Sequence, residues 1–148
     1  MPTLFQTLRQ LRWNRQPLTP ARLEVVLGFF PVEYVEMEMD MRFSGFYGLC
    51  EGVEVIVVNS LLPPEKKHEV GTHEFCHLLS NAPHGYFYSD IAARGTLDQV
   101  EYRAHRLAAC FLIPKKWCYT RTYAEIREDG LSDEIIRFRL DYYRKARM

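Results

Sequence analysis

Gly71-Thr72-His73-Glu74-Phe75-Cys76-His77-Leu78-Leu79 carries the pattern His-Glu-x-x-His inside a segment with the marks of a helix. Pro64 and Glu65 suit its first turn, one through a fixed φ and the other through its charge against the helix dipole. Asn81, Pro83 and Gly85 stop it just beyond Leu79. At 3.6 residues per turn, positions i and i+4 project from one face, so His73 and His77 can both ligate one zinc ion. Glu74 stands about 100° round the helix, within reach of a water molecule at the metal but outside its coordination shell. That is the place of a general base that takes the proton from water attacking a carbonyl. Phe75, Leu78 and Leu79 supply the core-facing side, and Cys76 reads as a small buried hydrophobe.

A catalytic zinc needs a third protein ligand and one open position. Thr96-Leu97-Asp98-Gln99 has the form of a capping box, and Val100, Ala104, Leu107, Ala108 and Phe111 then recur as a helical core stripe until Pro114. Glu101 lies one position off that stripe and is the favoured third ligand. His105, one turn later on the same face, competes with it. Asp90, in a loop, and Asp98, in a solvent-facing first turn, are weaker. A donor for the oxyanion is also required, and His84, Tyr86, Tyr88, Arg94 and His105 are the candidates, four of them in the stretch joining the two helices. An extended substrate could add as a strand along the edge of a hairpin formed by residues 45–50 and 53–58.

Outward from this centre the period changes. Val35, Met37, Met39, Met41 and Phe43 alternate with Glu36, Glu38, Asp40 and Arg42, which predicts a strand with its methionines in the core. Glu51-Gly52 joins the hairpin strands, the second largely buried. Helices are expected at the N-terminus, where Leu4, Phe5, Leu8 and Leu11 fall at helical spacing, at residues 19–27, and from Ser132 onward. A β-rich middle flanked by helices indicates an α+β fold. The 148 residues read as one domain: an N-terminal helical segment (1–30), a core holding sheet and metal site (33–114), and a C-terminal helical segment (115–148).

The 19 basic and 19 acidic residues cancel, which argues against direct nucleic-acid binding by a generic basic surface. The balance is uneven along the chain, since residues 33–101 hold 12 acidic and 4 basic residues. No apolar run approaches the roughly 20 residues of a membrane helix. Four cysteines without a C-x-x-C pair suggest reduced thiols and a cytoplasmic protein. A DNA-reading role for the C-terminal helices through Arg137 and Arg139 is conceivable, but Ile135, Ile136, Phe138, Leu140, Tyr142 and Tyr143 cover that helix with apolar surface suited to packing.

Taken together, Asn59, the charged stretch 65–68, the segment 71–79 and Glu101-Tyr102-Arg103-Ala104-His105-Arg106-Leu107-Ala108-Ala109-Cys110-Phe111-Leu112-Ile113-Pro114 resemble the ImmA/IrrE metallopeptidases. In that family a helix with H-E-x-x-H precedes one reading roughly E-x-E-A-N-x-F-A-x-x-L-L-x-P. The resemblance covers about residues 45–140. It implies a zincin-like domain with a small, mostly antiparallel sheet, an H-E-x-x-H helix, a second metal-ligand helix and C-terminal helices. It also implies one zinc ion on His73, His77 and Glu101, with Glu74 as base. The substrate it implies is a protein, a basic helix-turn-helix repressor, and the alternative to cleavage is a catalytically weak module that sequesters such a repressor. Arg103, His105 and Leu107 stand where the pattern has Glu, Asn and Phe, and Cys76 stands where Gly is common, so the surroundings of the metal differ while its ligands and base are kept.

Overall fold

Two threonines start the N-terminal helices. Thr3 accepts from the Gln6 N–H while the Gln6 side chain takes the Thr3 N–H, opening α1 (Leu4–Gln10). Thr19 accepts from the Arg22 N–H ahead of Pro20, opening α2 (Pro20–Leu27). The computed structural model describes residues 2–82, 86–88 and 99–147, with the backbone alone at 86–88. Strand β1 (Val32–Met37) follows, then β2 (Gly45–Cys50) and β3 (Val53–Asn59). Glu51 and Gly52 have φ of 51° and 81°, and two successive left-handed residues are what a two-residue hairpin turn requires.

The sheet order is β1-β3-β2-β4, with β4 at Tyr86–Tyr88. Strand β2 pairs antiparallel with both β3 and β4, and β1 pairs parallel with β3, so the sheet is mixed and mostly antiparallel. Helix α3 (Pro64–Leu79) packs on β2 and β3. Two glycines allow that approach. A Cβ on Gly45 would stand 2.5 Å from Val70 Cγ1, and one on Gly71 would stand 2.3 Å from the Tyr34 hydroxyl. Helix α4 (Gln99–Leu112) lies along α3 and ends before Pro114 as its stripe predicts. Then come α5 (Trp117–Thr120), α6 (Tyr123–Arg127) and α7 (Asp133–Arg147), the last packed on α4.

Ile56, Val58, Val70, Phe75 and Phe111 are fully buried in one core shared by sheet, α3 and α4. Each such side chain contributes about 1.5–3 kcal/mol relative to exposure. A second cluster joins Ile113, Ile126, Ile135 and Ile136 beneath α7. Among the described residues no helix is long and apolar enough to cross a membrane.

Several expectations change. The alternating stretch does not continue as a strand to Phe43; β1 ends at Met37, and Met37 and Met41 are 52% and 67% exposed. The reason is positional. As an outer strand, β1 has one neighbour among the described residues, and beyond Met37 the buried Asn59 side chain captures the chain, accepting from the Met39 N–H and donating to the carbonyls of Met39 and Phe43. Phe5 faces solvent, at 80% exposed, while Leu11 is buried. Strand β3 is no edge for an added peptide, because it lies between β1 and β2, and β4 covers Gly45 to Tyr47 of β2, so among the described residues only Gly48 to Cys50 of the hairpin keeps an open side. Arg139 is buried, donating to the Ile113 carbonyl at 2.8 Å and to Asn14 Oδ1 at 2.7 Å, which removes it from any DNA-reading surface. The capping box at 96–99 begins outside the described residues.

Candidate metal centre

Helix α3 buries eleven consecutive residues from Glu69 to Leu79, because the sheet takes one side and α4 the other. His73 and His77 therefore emerge not at a surface but between two helices, 2% and 0% exposed. Their rings lie 4.9 Å apart, and the ring of Tyr47 from β2 stacks against His77 at 6.5 Å and 10°. The Tyr47 hydroxyl donates to Glu54 Oε1 at 2.9 Å, which fixes that ring.

Across the gap, α4 aims Glu101 at both imidazoles. His73 Nε2–H donates to Glu101 Oε2 at 2.9 Å, and His77 Nε2–H donates to Oε1 at 3.0 Å. Burial pushes the Glu101 carboxyl up, but the two imidazole hydrogen bonds and charges outweigh it and hold the group well below the usual carboxylate range. Glu74 is 0% exposed, and one potential ligand atom from each of His73, Glu74 and His77 lies within 4.8 Å of the others. Its side chain runs past the gap left by Gly45, where a Cβ would come within 3.4 Å of Glu74 Cγ.

A divalent cation suits this arrangement. Two imidazole nitrogens meet one carboxylate, each from its own oxygen, which is the donor set of a catalytic His₂Glu site. Ligand atoms on one tetrahedral ion stand about 3.3 Å apart. The separations of 2.9 and 3.0 Å are thus within a few tenths of an ångström of that spacing. Glu74 and Glu101, both buried, add negative charge that a divalent cation would balance.

The IrrE N-terminal-like domain, a peptidase family, matches residues 37–139. The chain belongs to that family. No curated protein and no solved structure matches it. The matched region contains the helix that carries the buried His73, Glu74 and His77 cluster, and the departures from the family pattern now have places. Arg103 is exposed on the outer side of α4, Leu107 and Cys76 fill the core at 5% and 0% exposure, and burial pushes the Cys76 thiol up. His105 is 1% exposed, packed between His73 and Phe138. Burial, with His73 beside it, pushes this imidazole down to about 3, so it is neutral.

Thus the structure brings His73, Glu74, His77, Glu101 and His105 together. His84, Arg94, Asp90 and Asp98 lie outside the described residues, and Tyr86 and Tyr88 are described only as backbone paired with Tyr47 and Gly45. One support escaped the sequence reading. Glu69, four residues before His73 on the same face, is 2% exposed and accepts from Ser132 N–H at 3.0 Å, Ser132 Oγ–H at 2.8 Å and Lys66 Nζ at 2.8 Å. It anchors the start of α7 to the metal-site helix. The signal was an acidic residue repeating the His73 spacing on a face otherwise destined for burial.

Proposed function

We propose that this chain is a zinc-dependent endopeptidase acting on a protein substrate, with His73, His77 and Glu101 as metal ligands and Glu74 as general base. The observation that carries the reading is the convergence of both imidazole Nε2 atoms on the two oxygens of Glu101, with Glu74 buried beside them. When bound, zinc supplies Lewis acidity, polarising a peptide carbonyl and making water easier to deprotonate. Glu74 then accepts a proton from the attacking water as the oxygen adds to the carbonyl carbon. The same carboxyl returns that proton to the amide nitrogen as the C–N bond breaks, so one water is consumed and an acid and an amine are released. Tyr47 and the sheet hold His77, and α4 holds Glu101, so the ligands need little reorganisation.

As substrate we propose a basic helix-turn-helix repressor in the cytoplasm, the target that the likeness to ImmA/IrrE proteins implies. Exposed Glu33, Glu38 and Glu51 offer such a partner negative charge, while Glu36 and Asp40 are already paired with Lys67 and Arg42. The test is co-expression with a candidate repressor. Cleavage by the wild-type chain and none by Glu74→Gln supports the enzyme; equal repressor inactivation by both chains without cleavage indicates a sequestering module.

A further inference from the structure

His105 is a polar side chain in an expensive place. It is 1% exposed, and neither ring nitrogen has a hydrogen-bond partner among the described residues. On one side Phe138 of α7 meets it at 4.5 Å between ring centroids and 87°, an apolar wall that offers at best a weak π contact. On the other side lies the ring of His73, at 5.7 Å and 63°. Burying an imidazole this way surrenders its water without return, so for folding alone an apolar residue would serve better. A buried polar group that stability does not explain, set against a ligand, points to the metal-bound state.

Resting on the ligand set proposed above, we infer that His105 is a positioning residue for His73. The four-residue spacing from Glu101 puts both side chains on the α4 face that meets α3. Glu101 addresses Nε2 of His73. Once that nitrogen is committed to a metal, the ring keeps an N–H at Nδ1, and a partner for it fixes the tautomer and plane of a ligating histidine. Neutral His105 has one acceptor nitrogen to take that proton and one N–H left over. Phe138 backs His105 from behind, so the seating of α7 sets the position of a group that orients a metal ligand.

The experiment compares wild type with His105→Asn, which keeps hydrogen-bonding capacity, and with His105→Phe and His105→Leu, which do not. Full-length protein is stripped of metal, melted, and titrated with zinc and with cobalt, whose visible absorption reports ligand geometry. Both apolar variants are expected to melt no lower than wild type when metal-free, to bind zinc about 10–100-fold more weakly, and to shift the cobalt bands. His105→Asn is expected to retain most of the affinity. Two apolar replacements guard against one overfilling the site. Zinc binding within threefold of wild type with an unchanged cobalt spectrum in either folded apolar variant, or equal losses in the Asn and apolar variants, would overturn the inference. Failure of the wild-type chain to bind zinc, or binding that survives His73→Ala, would instead overturn the ligand set itself.

Discussion

At the scale of single residues the site is a division of labour between two carboxylates. Glu101 takes both imidazole Nε2 atoms and is held ionised by them; Glu74 lies buried beside them and is the proposed general base. Replacing each should therefore fail differently. Glu74→Gln should lower peptide hydrolysis by about 10²–10⁴-fold, the usual weight of a general base, with zinc retained at one equivalent. Glu101→Ala should weaken zinc binding far more than His105→Ala, because it removes a ligand and not its support; isothermal titration ranks the two, and the reverse order would reassign the third ligand. His73, Glu74 and His77 were readable because their spacing is itself the chemistry. Glu101 was readable from its offset against a core stripe, with His105 as rival. Only the packing of the two helices shows that Glu101 meets both imidazoles while His105 lies against the His73 ring, since spacing on one helix cannot say which of two residues a turn apart reaches across.

Among the elements, the helices were the legible part. Residues 64 and 79 bound α3 as Pro64 and the breakers after Leu79 indicate, and Thr19 and Pro20 open α2 where expected. The hairpin also followed from its turn, since Glu51-Gly52 supplies the two left-handed residues. The methionine alternation misled because period two reports a pleated strand, not whether a layer covers it. Met37 lies on an outer strand, and the chain then turns away to bond with Asn59. Long-range polar clamps were equally hidden, because Glu69 and Ser132 are 63 residues apart. That clamp has a measurable weight. Glu69→Gln should destabilise the protein by about 1–3 kcal/mol, the cost of leaving buried polar groups poorly satisfied at the start of α7. Urea unfolding measures it, and an unchanged midpoint would show that the clamp adds nothing.

For the whole molecule, the zero net charge conceals two histidines, half-buried His68 and buried His105, whose titration couples folding to pH. His68 is held neutral: burial lowers its affinity for protons more than the hydrogen bond from its Nε2–H to the Leu18 carbonyl, at 2.6 Å, restores it. His105 is lowered further, to about 3. Both native values lie below the unfolded value of about 6.5, so beneath that pH the unfolded chain binds more protons than the native one. Metal-free protein should hold its full stability above about pH 6.5 and lose it progressively as the pH falls towards the native values. Urea midpoints from pH 7.5 down to 5 should decline, and His68→Gln should flatten part of the decline; a level profile would contradict the assignment of these two groups.

The central claim is that two helices, packed through one core, hold a single zinc ion on His73, His77 and Glu101 and leave Glu74 free of it. Metal analysis of purified wild type, Glu74→Gln, His77→Ala and Glu101→Ala tests it most directly. The account predicts about one zinc per chain in wild type and Glu74→Gln, and far less than one in His77→Ala and Glu101→Ala. A wild-type chain that takes up no zinc, or a Glu101→Ala chain that keeps its full complement, would contradict it.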